Sequence, residues 1–200
     1  MKDVLLTVLR NVNTRRGEFR QVTEQLSLIL ASEASQYVEK ISIPVKTPLV
    51  ETVGKKLSEE VMVVPILRAG LAMLPAFLRI FPNATVGFFG MRRDEETKQP
   101  HLYYKNIPPI SHNQNIILID PMIATGGSGV LALKELISRG ADESKMIYVG
   151  IIGAPEGVKS VKTVCPHVKL IVGAMDECLN KDAFIVPGIG DFGDRYFGTD

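Results

Sequence analysis

The stretch Asn115-Ile116-Ile117-Leu118-Ile119-Asp120-Pro121-Met122-Ile123-Ala124-Thr125-Gly126-Gly127-Ser128-Gly129 decides the fold. Asn115 to Ile119 is a compact aliphatic run, too short for a helix and lacking polar alternation, so it reads as a strand buried on both faces. It delivers a carboxylate, Asp120, to its end. Small residues then turn the chain into a helix predicted over about 128–139. The first N–H groups of such a helix lack intrahelical partners and point outward, and with the helix dipole they form a site for a phosphate. Thr125 and Ser128 add hydroxyl donors, while Gly126 and Gly127 let the backbone approach an anion closely. No Lys of a Walker loop is present, which argues against a nucleotide triphosphate. Phosphate would repel Asp120, so its natural partners are hydrogen-bond donors such as ribose hydroxyls.

Working outward, the same grammar repeats. Val61 to Ile66, Thr85 to Phe89, Met146 to Ile152 and Val168 to Val172 are further strand-sized apolar runs. Helices are predicted over about 14–37, 69–80 and 156–164. Short apolar strands alternating with helices predict an α/β fold, with a central parallel sheet covered by helices on both faces. Ile41 to Val53 is strand-like, but Pro44 and Pro48 keep it off a sheet centre. Ligands in such folds sit outside the carboxyl ends of the strands. That brings together Arg68-Ala69-Gly70, Gly90 to Arg93, and Asp120 to Ser128. Two stretches break the alternation. Residues 91–109 are polar and long, and read as a flexible arm or lid. Residues 174–200 are rich in Gly and Asp and read as a small hood over the site. The whole, 1–200, reads as one domain.

Composition narrows the function. Hydrophobic residues make up 46% of the 200, and 23 Lys and Arg balance 22 Asp and Glu. Without a basic excess, a general nucleic-acid binder is disfavoured. Cys165 and Cys178 are distant and only three His are present, so neither a zinc site nor a disulfide framework is expected. Two reduced thiols fit a cytoplasmic protein. Met1 to Arg10 is too short and mixed for a secretory signal, and no segment approaches the ~20 apolar residues of a membrane span.

With these residues in view, the Asp120 loop resembles the phosphoribosyl-pyrophosphate (PRPP) loop of the type I phosphoribosyltransferases. That family usually carries two adjacent acidic residues there. The single carboxylate followed by Pro121-Met122 resembles its uracil phosphoribosyltransferase branch. Three more blocks agree: Val64-Pro65-Ile66-Leu67-Arg68-Ala69-Gly70-Leu71 with the first loop; Gly90 to Thr97 and Tyr103-Tyr104-Lys105 with the arm; and Val186 to Thr199 with the C-terminal uracil-binding end. The likeness runs from about Phe19 to the last residue. Three departures stand out. The head before the first helix is short; Arg92 replaces a common aromatic; and Phe192 replaces a small residue and is expected to narrow the base pocket.

The resemblance implies transfer of a phosphoribosyl group from PRPP to uracil, giving UMP and diphosphate, a step of pyrimidine salvage. It implies Mg²⁺ carried mainly by PRPP, without a ligand set of the protein's own. It implies a homo-oligomer, at least a dimer, and leaves regulation by GTP open. The catalytic set it implies is Asp120, Arg68, Arg93 and Asp191. PRPP would meet Arg68, Arg93, Asp191 and the loop Asp120, Pro121, Met122, Ile123, Ala124, Thr125, Gly126, Gly127 and Ser128. Uracil would meet Ile185, Gly190, Asp191 and Phe192, where a glycine-rich backbone can match its acceptor–donor–acceptor edge. His101, His112 and His167 pair with no nucleophile and read as surface residues, as does Arg92. Two other readings remain: an RNA-binding pyrimidine regulator that keeps the fold, and a type I enzyme for another base.

Overall fold

A computed structural model describes residues 1–93 and 100–199. Its centre is the aliphatic strand that precedes Asp120. β7 (Ile116–Ile119) lies between β3 (Met62–Leu67) and β9 (Met146–Gly153), parallel to both, with Ile117 in register with Val63 and Ile147. β10 (Lys169–Met175) extends the sheet beyond β9, and β5 (Phe88–Arg93) extends it beyond β3. The order is β10-β9-β7-β3-β5-β6, parallel except for β6 (Pro100–Asn106), which returns antiparallel to β5. Two short strands add to it: β4 (Thr85–Val86) on β3 and β8 (Met122–Ile123) on β9.

Side-chain alternation explains why β7 is uninterrupted aliphatic. Ile117 and Ile119 enter a core with α1 (Lys2–Arg10), α2 (Arg16–Ser35) and α3 (Leu74–Ile80). Ile116 and Leu118 face the opposite way, into a core with α4 (Gly127–Ser138) and α5 (Pro155–Val164). Both faces are therefore covered, as the apolar runs predict. The chain steps from β3 to β5 on one side and returns to β7 on the other. That reversal opens a crevice at the carboxyl ends of β3 and β7, where Arg68 and Asp120 sit.

Several elements differ from expectation. The first is α1, whose Leu5, Leu6 and Leu9 are buried against α2. The predicted strand over 41–53 is a separate antiparallel hairpin, β1 (Lys40–Lys46) with β2 (Glu51–Leu57), turning through Thr47 and Val50. Pro44 fits because this ladder stands apart from the main sheet. The helix expected over 69–80 is a 3₁₀ turn, Ala69–Ala72, followed by α3. The strand expected over 85–89 is interrupted at Gly87.

The stretch 91–109 contributes the end of β5 and all of β6, with a bulge between Gly90 and Met91. The remainder of the expected arm, 94–99, and the side chain of Arg93 lie outside the described residues. Beyond β10 come the pair β11 (Cys178–Leu179) and β12 (Ile185–Val186), a glycine loop, and α6 (Phe192–Phe197).

Candidate active site

Asp120 follows β7 directly, its N–H bonded to the Val149 carbonyl at 3.1 Å. Burial raises its carboxyl from 3.8 to about 7, while the Met122 N–H, 3.5 Å from Oδ1, and the Tyr148 hydroxyl oppose that rise. The loop after it is pinned to β9. The Pro121 carbonyl accepts from the Ile151 and Ile152 N–H groups at 3.0 Å, and the Ile123 carbonyl from Ala154 at 3.0 Å. Ile123 is fully buried, so Pro121 and Ile123 fasten the loop rather than form its cavity wall.

Gly126 caps α4 with φ 78°, a conformation that side chains disfavour. A Cβ there would also lie 2.6 Å from the Gly157 carbonyl oxygen. The turn so formed presents the first N–H groups of α4 and the Thr125 and Ser128 hydroxyls to a cavity of about 140 Å³. Such a cradle suits a phosphate monoester.

This cradle adjoins a larger cavity of about 850 Å³. Arg68 lines it from the end of β3, with a side chain 59% exposed and 3.9 Å from Asp194 Oδ1. Ile185, Gly190, Asp191 and Phe192 line the opposite side. The structure therefore brings Arg68, Asp120, Ser128 and the four expected base-site residues around one space. His101 and Arg92, expected at the surface, are exposed, and together with Tyr103 of the expected arm they also line the cavity wall from the β5–β6 hairpin. Their signal was present, since they fall within the polar stretch read as an arm.

The hood is held from the other end of the chain. Asp176, with a side chain 2% exposed, accepts from Arg10 at 2.5 and 2.9 Å and from the Gly188 N–H at 2.8 Å. Arg10 also donates to the Gly188 carbonyl at 2.9 Å. The Asp176 partner raises the Arg10 guanidinium above its ordinary value. Arg195 donates to the carbonyls of Leu9, Ile189 and Asn11. The Asp191 carboxylate caps α6, accepting from the Asp194 N–H at 3.0 Å. The Phe192 ring is 1% exposed and packs against Phe19 and Tyr196, with centroids 5.4 and 5.8 Å away. It is turned into the core, so it does not narrow the base pocket in the way the sequence led us to expect.

Among the described residues no three His, Cys, Asp or Glu side chains converge to hold a metal ion.

The family model for uracil phosphoribosyltransferase matches residues 2–199. The chain belongs to that family. The match begins ahead of Phe19 and so takes in α1. The uracil phosphoribosyltransferase of Limosilactobacillus fermentum is 41% identical over 195 residues, covering 97% of this chain and 92% of the relative. That of Salinibacter ruber is 43% identical over 194 residues, covering 97% and 91%. The solved structure of the AQ2163 protein from Aquifex aeolicus superimposes with a TM-score of 0.91 at 34% identity, covering all of this chain and 95% of that one. A purine phosphoribosyltransferase from Pyrococcus horikoshii shares the fold, with a TM-score of 0.51 at 11% identity over 78% of this chain and 83% of its own.

Proposed function

We propose that the protein transfers the 5-phosphoribosyl group of PRPP to uracil, giving UMP and diphosphate in pyrimidine salvage. One observation supports this reading above others: a helix-start turn, a buried carboxylate and a glycine-rich loop line two adjoining cavities in a uracil phosphoribosyltransferase family member. In this reading Thr125 to Ser128 hold the 5-phosphate. Asp120 accepts hydrogen bonds from the ribose hydroxyls. Arg68 and Arg93 neutralise the departing diphosphate, where a guanidinium fork suits paired phosphate oxygens. Backbone groups of Ile185 and Gly190 to Phe192 read the uracil edge, and Asp191 closes the ribose side.

The anomeric carbon loses its bond to diphosphate, which leaves with the electron pair, and gains a bond to uracil N1, whose proton passes to solvent. The residues position the reactants and stabilise charge rather than attack the substrate. Mg²⁺, held mainly by PRPP oxygens, would neutralise diphosphate when bound. The arm, 91–109, and the hood, 174–200, exclude water from PRPP.

The free thiols, Cys165 buried and Cys178 exposed, fit a cytoplasmic setting. Among the described residues no helix is long and apolar enough to cross a membrane. The β1–β2 hairpin exposes Leu49, Val50 and Val53, which supports self-association through this hairpin.

The test is diphosphate release from PRPP and Mg²⁺ with each free nucleobase in turn. Release with uracil alone is expected. Release with a purine or orotate and not uracil would refute the assignment.

A further inference from the structure

Tyr148 is the one aromatic residue in β9, a strand otherwise made of aliphatic residues and glycine. It registers with Leu118 across β7, two positions before Asp120, and is 1% exposed. A buried tyrosine hydroxyl needs a hydrogen-bond partner. The register places Tyr148 on the same face of the sheet as Leu118 and Asp120, and Tyr148 and Asp120 together line the phosphate cradle, where each perturbs the ionisation of the other. Among the described residues the only backbone donor on the Asp120 carboxylate is the long contact from Met122 at 3.5 Å.

The ring reaches this place because position 129 carries no side chain. A Cβ on Gly129 would fall 2.7 Å from both Cζ and the hydroxyl oxygen of Tyr148, and closer still to Cε1. A glycine inside a helix costs about 1 kcal/mol relative to alanine. Here it sits in the first turn of α4, where it opens a channel for the phenol beneath the phosphate loop.

We propose that Tyr148 is a positioning residue for Asp120: its hydroxyl, admitted by Gly129, donates to the carboxylate from beneath and aims it at the ribose hydroxyls. The inference rests on the reading of Asp120 as the ribose acceptor. Burial raises the Asp120 carboxyl to about 7, and the Tyr148 hydroxyl counters that rise. Its own ionisation is pushed well up, first by burial and then by Asp120, so it remains a donor throughout the working pH range. Other charged or titratable groups line the wider cavity: Arg68 from β3, Arg92 from β5, His101 from β6 and Asp191 from the hood.

Tyr148→Phe removes the donor and keeps the ring. The full-length protein, ¹³C-labelled at Asp carboxyl carbons, gives the Asp120 titration directly, with Asp120→Asn assigning the resonance. Loss of the hydroxyl should move the Asp120 midpoint upward by about one pH unit. At saturating uracil and Mg²⁺, kcat/KM for PRPP should fall roughly fivefold at about pH 7 and recover by about pH 9, as that midpoint shift requires. Gly129→Ala, which displaces the ring, should shift the midpoint in the same direction. A role in packing alone would leave the midpoint unmoved, and an unchanged midpoint in Tyr148→Phe would overturn the proposal. Full activity in Asp120→Asn would remove the ribose reading alone, because the carboxyl titration still decides the Tyr148 contact.

Discussion

Replacing Asp120 with Asn should make the protein more stable and less active. Burial lifts the carboxyl from 3.8 to about 7 in the folded chain. The unfolded chain keeps the ordinary value. Below about pH 4 both states are protonated and the site costs nothing; the penalty then grows with pH and is complete above about pH 7. At about 1.36 kcal/mol per pH unit, this displacement corresponds to roughly 4 kcal/mol. Asn retains an acceptor for Met122 and Tyr148 but adds an amide that needs its own partner, so about 2 kcal/mol should be recovered. For a chain of 200 residues, that is a rise in Tm of roughly 4–8 °C at about pH 8, shrinking to nothing near pH 4. Charged acceptors contribute ~1.5–3 kcal/mol per hydrogen bond, so kcat/KM for PRPP should fall on the order of 10²-fold. Thermal melts across this pH range and a diphosphate-release assay read the two effects separately. A Tm difference independent of pH, or a variant less stable at pH 8, would refute the buried-charge argument. Undiminished turnover would refute the ribose role.

Arg10→Ala leaves the buried Asp176 carboxylate without its cation and should cost about 3–5 kcal/mol, read by urea denaturation; Asp176→Asn in the same background should restore much of it. Gly126→Ala meets both the positive φ and the Gly157 carbonyl, so KM for PRPP should rise at least tenfold, with the KM for uracil little changed. Equal KM values for PRPP in variant and parent would argue against the cradle. Uracil should be preferred over cytosine by on the order of 10²–10⁴ in kcat/KM, since fixed backbone groups would face two mismatched pairs at ~1–3 kcal/mol each. Comparable values for the two bases would move base recognition away from the hood loop.

Much of this was legible in the residues themselves. Ile116 to Ile119 admit one reading, because only a strand covered on both faces has no polar side, and the Asp120-to-Ser128 turn follows from its glycines and hydroxyls. The parts that were missed depend on partners distant in sequence. Leu5, Leu6 and Leu9 gain a helical role only once α2 offers them a face. The Phe192 ring points inward because Phe19 and Tyr196 stack on it, and no local pattern announces that. Tyr148 looked like ordinary strand filling. Its oddness, one hydroxyl in an aliphatic strand, becomes informative only when Gly129 is found opposite. Arg92 and His101 are exposed as a lone charge in a polar stretch suggests, and their pairing across β5 and β6 sets both beside the cavity, which no local pattern announces.

The bond from Arg10 to the Gly188 carbonyl spans 178 positions, so it closes nearly the whole chain into a ring. Closure entropy rises only with the logarithm of loop length, but contacts this distant form after the local and sheet contacts that bring their ends together. The phosphate loop, by contrast, is tied locally, from Pro121 to Ile152 and from Gly126 to its own helix. If the loop holds the ribose phosphate as proposed, its ties can form in a folding chain before the Arg10–Gly188 contact does. In the proposed reading the two halves of recognition differ in this respect, since the loop assigned to the base depends on α1 reaching Gly188 across the chain.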